Sequence, residues 1–445
     1  MKNSDYNEGS LSLAATVAMG TGVMIGAGIF ALTGQIAEFS GPYFPAAFLL
    51  AAIISGFSAY SYIKMSNKYP SAGGIAMILQ KAYGHSTITG AAALLMAFSM
   101  IINESLVART FGTYSLQLFD VDRHSLWVPI LAVGLIVFAF IVNVAGNKMI
   151  GGISKVTAIL KIGGILSFAV IVIWASDLSF IADISQQTAP TTIGKFLAGV
   201  ALAILAFKGF TTITNSGGEV KDPTRNVGRS IMISLAICLV VYLAVALAVS
   251  SALSIEQIIA AKDFSLAEAA RPTFGEYGVV FTVIIAIIAT SSGLLASVFA
   301  VSRMLTMLTR MTLIPHRHFG LPGNLQTHLL IYTVVFAGLL ATFFDLSRIA
   351  SLGAIFYLLM DMIIQWGVYA NLRKEIGANG GIMIAAIILD AFALLAFLII
   401  KGSSDPLILI ISAVAITTIF VLEKFYLQRH RNNEGSHQHN MKMKP

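Results

Sequence analysis

Apolar residues run along this chain in blocks of about 20, split by short polar segments, without the alternation or three-to-four spacing of half-buried elements. Twelve blocks are found, near residues 11 to 37, 42 to 63, 86 to 118, 127 to 146, 153 to 175, 193 to 218, 229 to 251, 277 to 308, 328 to 345, 347 to 370, 381 to 400 and 406 to 425. Each is long enough to cross a bilayer as a helix. Two are interrupted: Gly20-Thr-Gly-Val-Met-Ile-Gly-Ala-Gly28 lies in the first block and Phe207-Lys-Gly-Phe-Thr-Thr-Ile-Thr-Asn-Ser-Gly-Gly218 in the sixth. Four glycines across little more than two turns make a poor helix. The second segment gathers Lys208, Thr211, Thr212, Thr214, Asn215 and Ser216 ahead of Glu219 and Lys221-Asp-Pro223. A helix broken at bilayer depth exposes N–H and C=O groups that lipid cannot satisfy, so such breaks persist where they line a cavity or bind something. Gly22 and Gly26, four apart, fit close helix packing as well.

Composition agrees with the pattern. With 57% hydrophobic and 11% charged residues and a mean hydropathy of +0.84, the chain reads as an integral membrane protein. A cytoplasmic N-terminus puts 19 of the 28 Lys and Arg on inside segments and 6 outside, with Arg109, Lys161 and Lys208 in apolar blocks. That bias follows the positive-inside rule and places both termini in the cytoplasm. The net charge of +7 is then a topology signal, and the basic tail meets anionic lipid rather than nucleic acid. The single cysteine, Cys238, cannot form an intramolecular disulfide. The first ten residues lack the order of a cleaved signal. The tail from Arg429, with His437 and His439, reads as disordered.

The interrupted blocks are the first and sixth, the corresponding members of two five-helix units. An inverted repeat predicts that correspondence. Unwinding both would present backbone donors at one half-helix N-terminus and acceptors at a C-terminus, two poles that suit a zwitterion. The chain carries no Gly-x-Ser-x-Gly, His-Glu-x-x-His or Walker-type segment on a plausible scaffold, so it is read as no enzyme, with no cofactor or metal implied. A channel would need a continuous polar pore.

Three motifs bear a family resemblance: Gly22-Val-Met-Ile-Gly-Ala-Gly-Ile-Phe30; Gly209-Phe with Asn215, Glu219-Val-Lys-Asp-Pro223 and Arg225-Asn; and Ser302-Arg-Met-Leu before Pro315. In order and spacing they resemble the amino acid-polyamine-organocation (APC) superfamily. Ala59-Tyr-Ser-Tyr-Ile-Lys64, Ile88-Thr-Gly90 and Ile213-Thr-Asn215 resemble its proton-coupled, broad-specificity prokaryotic amino-acid transporters. The resemblance implies an all-α, leucine-transporter-like fold of about 12 transmembrane helices with a 5+5 inverted repeat and helices 1 and 6 broken. The expected units are a cytoplasmic N-terminus (1–10), repeats at 11–175 and 193–371, helices 11 and 12 at 381–425, and a cytoplasmic tail at 429–445. It also implies a secondary transporter in a prokaryotic inner membrane, importing an amino acid or related amine by alternating access. Sodium symport, amino acid or polyamine exchange and a nontransporting sensor are the alternatives; oligomeric state is left open.

Carried over by position, the carboxylate-binding turn falls on Gly26, Ala27 and Gly28 beside Ile25, and the ammonium-binding carbonyls fall near Met24, Leu205, Ala206 and Lys208. Leu205 stands where several relatives have an aromatic gate, so closure here is aliphatic or passes to Phe207. The resemblance assigns proton coupling to Lys161, whose ammonium would replace a sodium ion between carbonyls around Gly20 and Val23 and the hydroxyls of Ser291 and Ser292. Read from the sequence alone, Lys161 fits snorkelling to the interface equally well. Lys208 and Glu104, unusual at their positions, suggest an ion pair across the substrate cavity, with separate partners as the alternative. Arg109 and Asp361 fit structural pairing, and Asn143, Thr290 and Gln365 interhelical hydrogen bonds. His316, Arg317 and His318 fall in a cytoplasmic loop.

Overall fold

The apolar blocks become helices whose ends are set by recognisable signals. In the computed structural model, which describes residues 9–71, 73–119, 125–145, 148–176, 191–314 and 325–442, no β-strand occurs among the described residues. The first span comprises α1 (Leu13–Met24), α2 (Ala27–Phe30) and α3 (Leu32–Ser40), capped at its start by the Ser12 hydroxyl. Next come α4 (Phe44–Lys68), with Pro45 in its first turn, and a short α5 (Gly74–Tyr83). They are followed by α6 (Thr87–Ser115), α7 (Trp127–Ala145) and α8 (Lys148–Ala175). The sixth span comprises α9 (Ile193–Phe207) and α10 (Phe210–Asn215). Then follow α11 (Pro223–Ala252), α12 (Ile255–Ala260), α13 (Ser265–Arg310), α14 (Leu325–Phe343), α15 (Leu346–Gly367), α16 (Gly380–Ser404) and α17 (Pro406–Lys442). Twelve of these stretches are long and apolar enough to cross a membrane.

Burial sorts the spans. In the most apolar stretch of each span, 89% of residues are buried in Ile193–Asn215, 83% in Thr87–Leu118 and 78% in Leu346–Leu372, against 22% in Pro406–Arg429. The third, sixth and tenth spans therefore form the centre, and the twelfth lies at the rim with Ile410, Val414 and Phe425 exposed as a lipid-facing surface would require. Tyr62, Tyr114, Tyr242 and Tyr357, on the second, third, seventh and tenth spans, are all buried, and each phenol needs a partner.

Some boundaries differ from expectation. α13 includes a short outer helix from Ser265 that the sequence reading did not separate; Gly275, non-helical at φ +57°, divides it from the eighth span, which follows it close to the expected start near 277. α5 and α12 are too short to appear as apolar blocks. The last helix continues to Lys442 through the tail read as disordered, while the side chains of His437 and His439, like the whole of His316, Arg317 and His318, lie outside the described residues.

Candidate functional site

Both breaks are narrower than the glycine pattern suggested. α1 stays helical through Gly20 and Gly22 and stops at Met24, leaving Ile25 and Gly26 as the turn. α9 stops at Phe207, and Lys208 and Gly209 form the second turn. The outer glycines serve packing: a Cβ on Gly20 would lie 2.4 Å from Ile213 Cδ1 of α10. The inner glycines let the breaks touch reciprocally. A Cβ on Gly28 would lie 3.2 Å from Ala206 Cα, just before the second break. One on Gly209 would lie 3.0 Å from the backbone nitrogen of Met24, just before the first.

Carbonyls released at the breaks are taken up by side chains from other spans. Tyr242 of α11 places its hydroxyl 2.6 Å from Met24 O and 3.1 Å from Ala206 O, bridging the two breaks. Those are two of the carbonyls expected to receive an ammonium group. Its ring packs on Phe207 at 4.9 Å. Tyr114 of α6 donates to Phe30 O at 3.1 Å. Gly26 N–H turns back to Met24 O at 3.0 Å. Ala27, Gly28 and Ile29 then open a new helix, and first-turn N–H groups have no acceptor within their own helix. Such donors suit a carboxylate. Leu205 lies against Gly353 of α15, and Phe207 is fully buried beside Tyr242.

Lys161, 1% exposed, does not snorkel; its ammonium donates to Gly22 O at 2.8 Å, tying α8 to α1. The acceptor lies between Gly20 and Val23, the two expected. A Cβ on Gly293 of α13 would be 3.4 Å from that same Gly22 O, so the eighth span also borders the bond. Ser292 instead donates to Ala289 O in its own helix, and no hydrogen bond joins Lys161 to Ser291 or Ser292.

The expected contact between Glu104 and Lys208 is not made. Lys208 donates to Ser99 O at 2.7 Å and to Ser99 Oγ at 3.1 Å, while Glu104 Oε1 accepts from Ser297 at 3.3 Å. The two charges still interact electrostatically. The physical reason is local supply: α6 offers Lys208 an acceptor pair at its own level, and α13 offers Glu104 a hydroxyl. Neither charged group forms a hydrogen bond with the first break. Arg109 donates to Ala341 O at 2.8 Å, Asn143 reaches Leu295 O across to α13, and Thr290 bonds Ala286 O within its own helix.

Closures lie at both ends of the breaks. At one end, Leu11 pairs with Val220 in a parallel bridge, through Leu11 N–H to Glu219 O at 2.9 Å and Lys221 N–H to Leu11 O at 2.8 Å. Arg303 forms an ion pair with Glu219 there, and Asn215 Oδ1 accepts from Ile75 N–H at 3.0 Å. At the other end, Gln35 donates to Asp263 at 2.6 Å and Lys262 pairs with Glu38 at 2.8 Å. Burial pushes the Asp263 carboxyl up, partly offset by the neighbouring Lys262. The Lys262 backbone lies directly over Gly34, where a Cβ would meet it at 2.4 Å.

Sequence reasoning missed Tyr242, although a phenol inside the seventh apolar block is a group that must find a partner. It missed Asp390 for a similar reason: one acid in a long run drew no attention without a partner in sequence.

The sequence profile described as "Amino acid permease" matches residues 11–422. The chain is 27% identical over 427 residues to the inner membrane transport protein YbaT of Escherichia coli, covering 95% of this chain and 98% of that one. It is 30% identical to the uncharacterized protein MJ0609 of Methanocaldococcus jannaschii, covering 87% and 88%. The branched-chain amino acid permease BcaP of Lactococcus lactis is 27% identical over 246 residues, 51% of this chain and 52% of BcaP.

Proposed function

Because the chain belongs to the amino acid permease family, we propose that it imports a small zwitterionic amino acid by alternating access, with proton entry coupled through Lys161. The observation that carries the coupling is the bond from Lys161 Nζ to Gly22 O, in the last turn of α1 before the first break, bordered by Gly293. An ammonium there supplies the positive charge and the bond that tie the fifth span to the first, with the eighth span alongside. Losing its proton removes the charge and one of three N–H donors, which weakens the bond to Gly22 O and loosens the hold on the first span. A proton moving inward down the membrane potential contributes about 2.3 kcal/mol per 100 mV.

Substrate binds where the breaks meet. Its carboxylate takes the N–H groups opening α2 at Ala27 and Gly28, and its ammonium takes Met24 O and Ala206 O, displacing the Tyr242 hydroxyl. Lys208 and Glu104 are engaged by Ser99 and Ser297, which favours a neutral side chain over a charged one. The repeats 11–175 and 193–371 supply one break each. Opening toward the cytoplasm requires parting the Leu11–Val220 bridge and the Arg303–Glu219 pair. Both termini lie on that side in a prokaryotic inner membrane.

The test is uptake of a radiolabelled amino-acid panel into proteoliposomes, under an inside-alkaline pH gradient without sodium. Accumulation in wild type that vanishes in Lys161→Ala is the expected result. Uptake that ignores pH and needs sodium or internal amino acid would remove Lys161 from the coupling role.

A further inference from the structure

Away from the breaks, a second polar cluster is buried between α4, α15 and α16. Asp361 of α15 and Asp390 of α16 are 1% and 0% exposed, and their carboxyl groups interact directly. Hydrogen bonds converge on one member of the pair. Ser58 of α4 donates to Asp361 Oδ2 at 2.6 Å and Tyr62 to Asp361 Oδ1 at 2.5 Å. Gln365 donates to Ser58 O at 2.8 Å and Ser58 Oγ at 3.1 Å, and its own carbonyl accepts from Ser61 at 2.5 Å. Each of these donors is thus directed to a partner other than Asp390. Neither Asp390 oxygen receives a hydrogen bond from any described residue, although the group is wholly buried and faces Asp361.

Two adjacent carboxylates in a buried site cannot both be ionised, because like charges at that range and the loss of solvation act in the same direction. Among the described residues no cation forms an ion pair with either carboxyl group. The ionisable groups acting on the pair are Tyr62 of α4 and Tyr357 of α15. α10 contributes Phe210 against the Tyr62 ring, and α9, packed on both α4 and α16, has Lys195 as its one ionisable residue, in its first turn. On α6, Glu104 is held by Ser297. Lys208, after α9, lies beyond Tyr357, whose ring its ammonium faces at 6.0 Å. On α17, Glu423 lies against Gly90 of α6.

We propose that Asp361 and Asp390 form a buried proton-binding site, distinct from Lys161, in which one proton is held between the two carboxyl groups. Asp390 carries it and donates to Asp361, whose remaining charge is stabilised by Ser58 and Tyr62. The shared proton thereby joins the second, tenth and eleventh spans. It shares no residue with the contacts of Lys161 and stands whether or not that lysine couples transport.

Infrared difference spectroscopy on the full chain in sodium-free proteoliposomes tests this at neutral pH, where exposed aspartates are ionised. The wild type is expected to show the carbonyl stretch of a protonated acid, shifted by carboxyl-13C labelling of aspartate and by D2O. Asp390→Asn should lose that band, because Asp361 keeps its donors Ser58 and Tyr62, whereas Asp361→Asn should shift it, because Asp390 stays buried and keeps its proton. Absence of any aspartate-derived acid band in wild type, its persistence in Asp390→Asn, or its replacement by sodium at fixed pH overturns the proposal. Absence of the band in wild type overturns the proposal even where a variant fails to fold; because burial also pushes the Asp263 carboxyl up, a band lost in Asp263→Asn belongs to that residue and overturns the proposal as well.

Discussion

At the first break the cation comes from outside, whereas the second break carries its own. Lys161 reaches from α8 to a carbonyl of α1, and Lys208 turns away from its own turn toward Ser99 of α6. Both ammonium groups are buried and both bond backbone oxygen, yet they do different mechanical work. The bond from Lys161 joins two spans at the point where one of them unwinds, so its strength sets how firmly α1 is held. Lys208 satisfies itself on a neighbouring central helix with two acceptors and has Glu104 nearby. Identical side chains thus make a joint between two spans in one place and a tether from a break to its neighbouring helix in the other.

The largest expected effect comes from removing the joint. Lys161→Ala should lower uptake driven by a pH gradient at least tenfold, equivalent to about 1.4 kcal/mol or more of lost driving interaction. The same substitution leaves the Gly22 carbonyl without its donor. Counterflow exchange with equal substrate on both sides should survive better than gradient-driven uptake, and equal loss of the two would mean that the lysine serves folding instead.

Next in size is the contact between the breaks. Gly28→Ala would put a methyl group 2.8 Å from the Tyr242 hydroxyl and 3.2 Å from Ala206 Cα. Overpacking of a dense interior costs about 1–3 kcal/mol. Substrate affinity should fall by roughly tenfold or more, read as the midpoint of substrate-induced thermal stabilisation. Gly56, with open space at its Cβ position, is the matched control.

The sequence carried the coarse fold well and the joints between spans poorly. Blocks of about 20 apolar residues determine span number almost by themselves, because lipid leaves the backbone few alternatives. The breaks were visible as glycine and polar clusters, but their width was not: Gly20 and Gly22 lie within α1, where their missing side chains leave room for Ile213 of α10 and for Lys161. Which carbonyl Lys161 would meet depends on the relative rotation of α1 and α8, and no local pattern encodes that. Glu104 and Lys208 show the same limit. Each was recognised as costly in lipid, while Ser297 and Ser99, the partners that settle their positions, lie 193 and 109 residues away. Asp361 was noticed alone, and its neighbour Asp390 was invisible until α15 and α16 packed together.

A smaller effect is expected at the bridge over both breaks. Tyr242→Phe keeps the ring against Phe207 and removes the hydroxyl from Met24 O and Ala206 O. A net hydrogen bond is worth about 1 kcal/mol, and a substrate ammonium would no longer have to displace it. Apo thermal stability should drop by that amount while substrate affinity rises up to about fivefold; a loss of affinity would instead make the hydroxyl part of the bound complex.

The smallest effect separates the two lysines most cleanly. Lys208→Met removes a charge together with its bonds to Ser99 and leaves the Lys161 bond to Gly22 intact. The uptake rate should fall by no more than about fivefold, the cost of one or two modest hydrogen bonds. Its dependence on external pH should keep the wild-type midpoint, because the joint at the first break is unchanged. A midpoint displaced in Lys208→Met as far as in a Lys161→Arg variant would mean that the second break shares the proton, and the contrast between joint and tether would then fail.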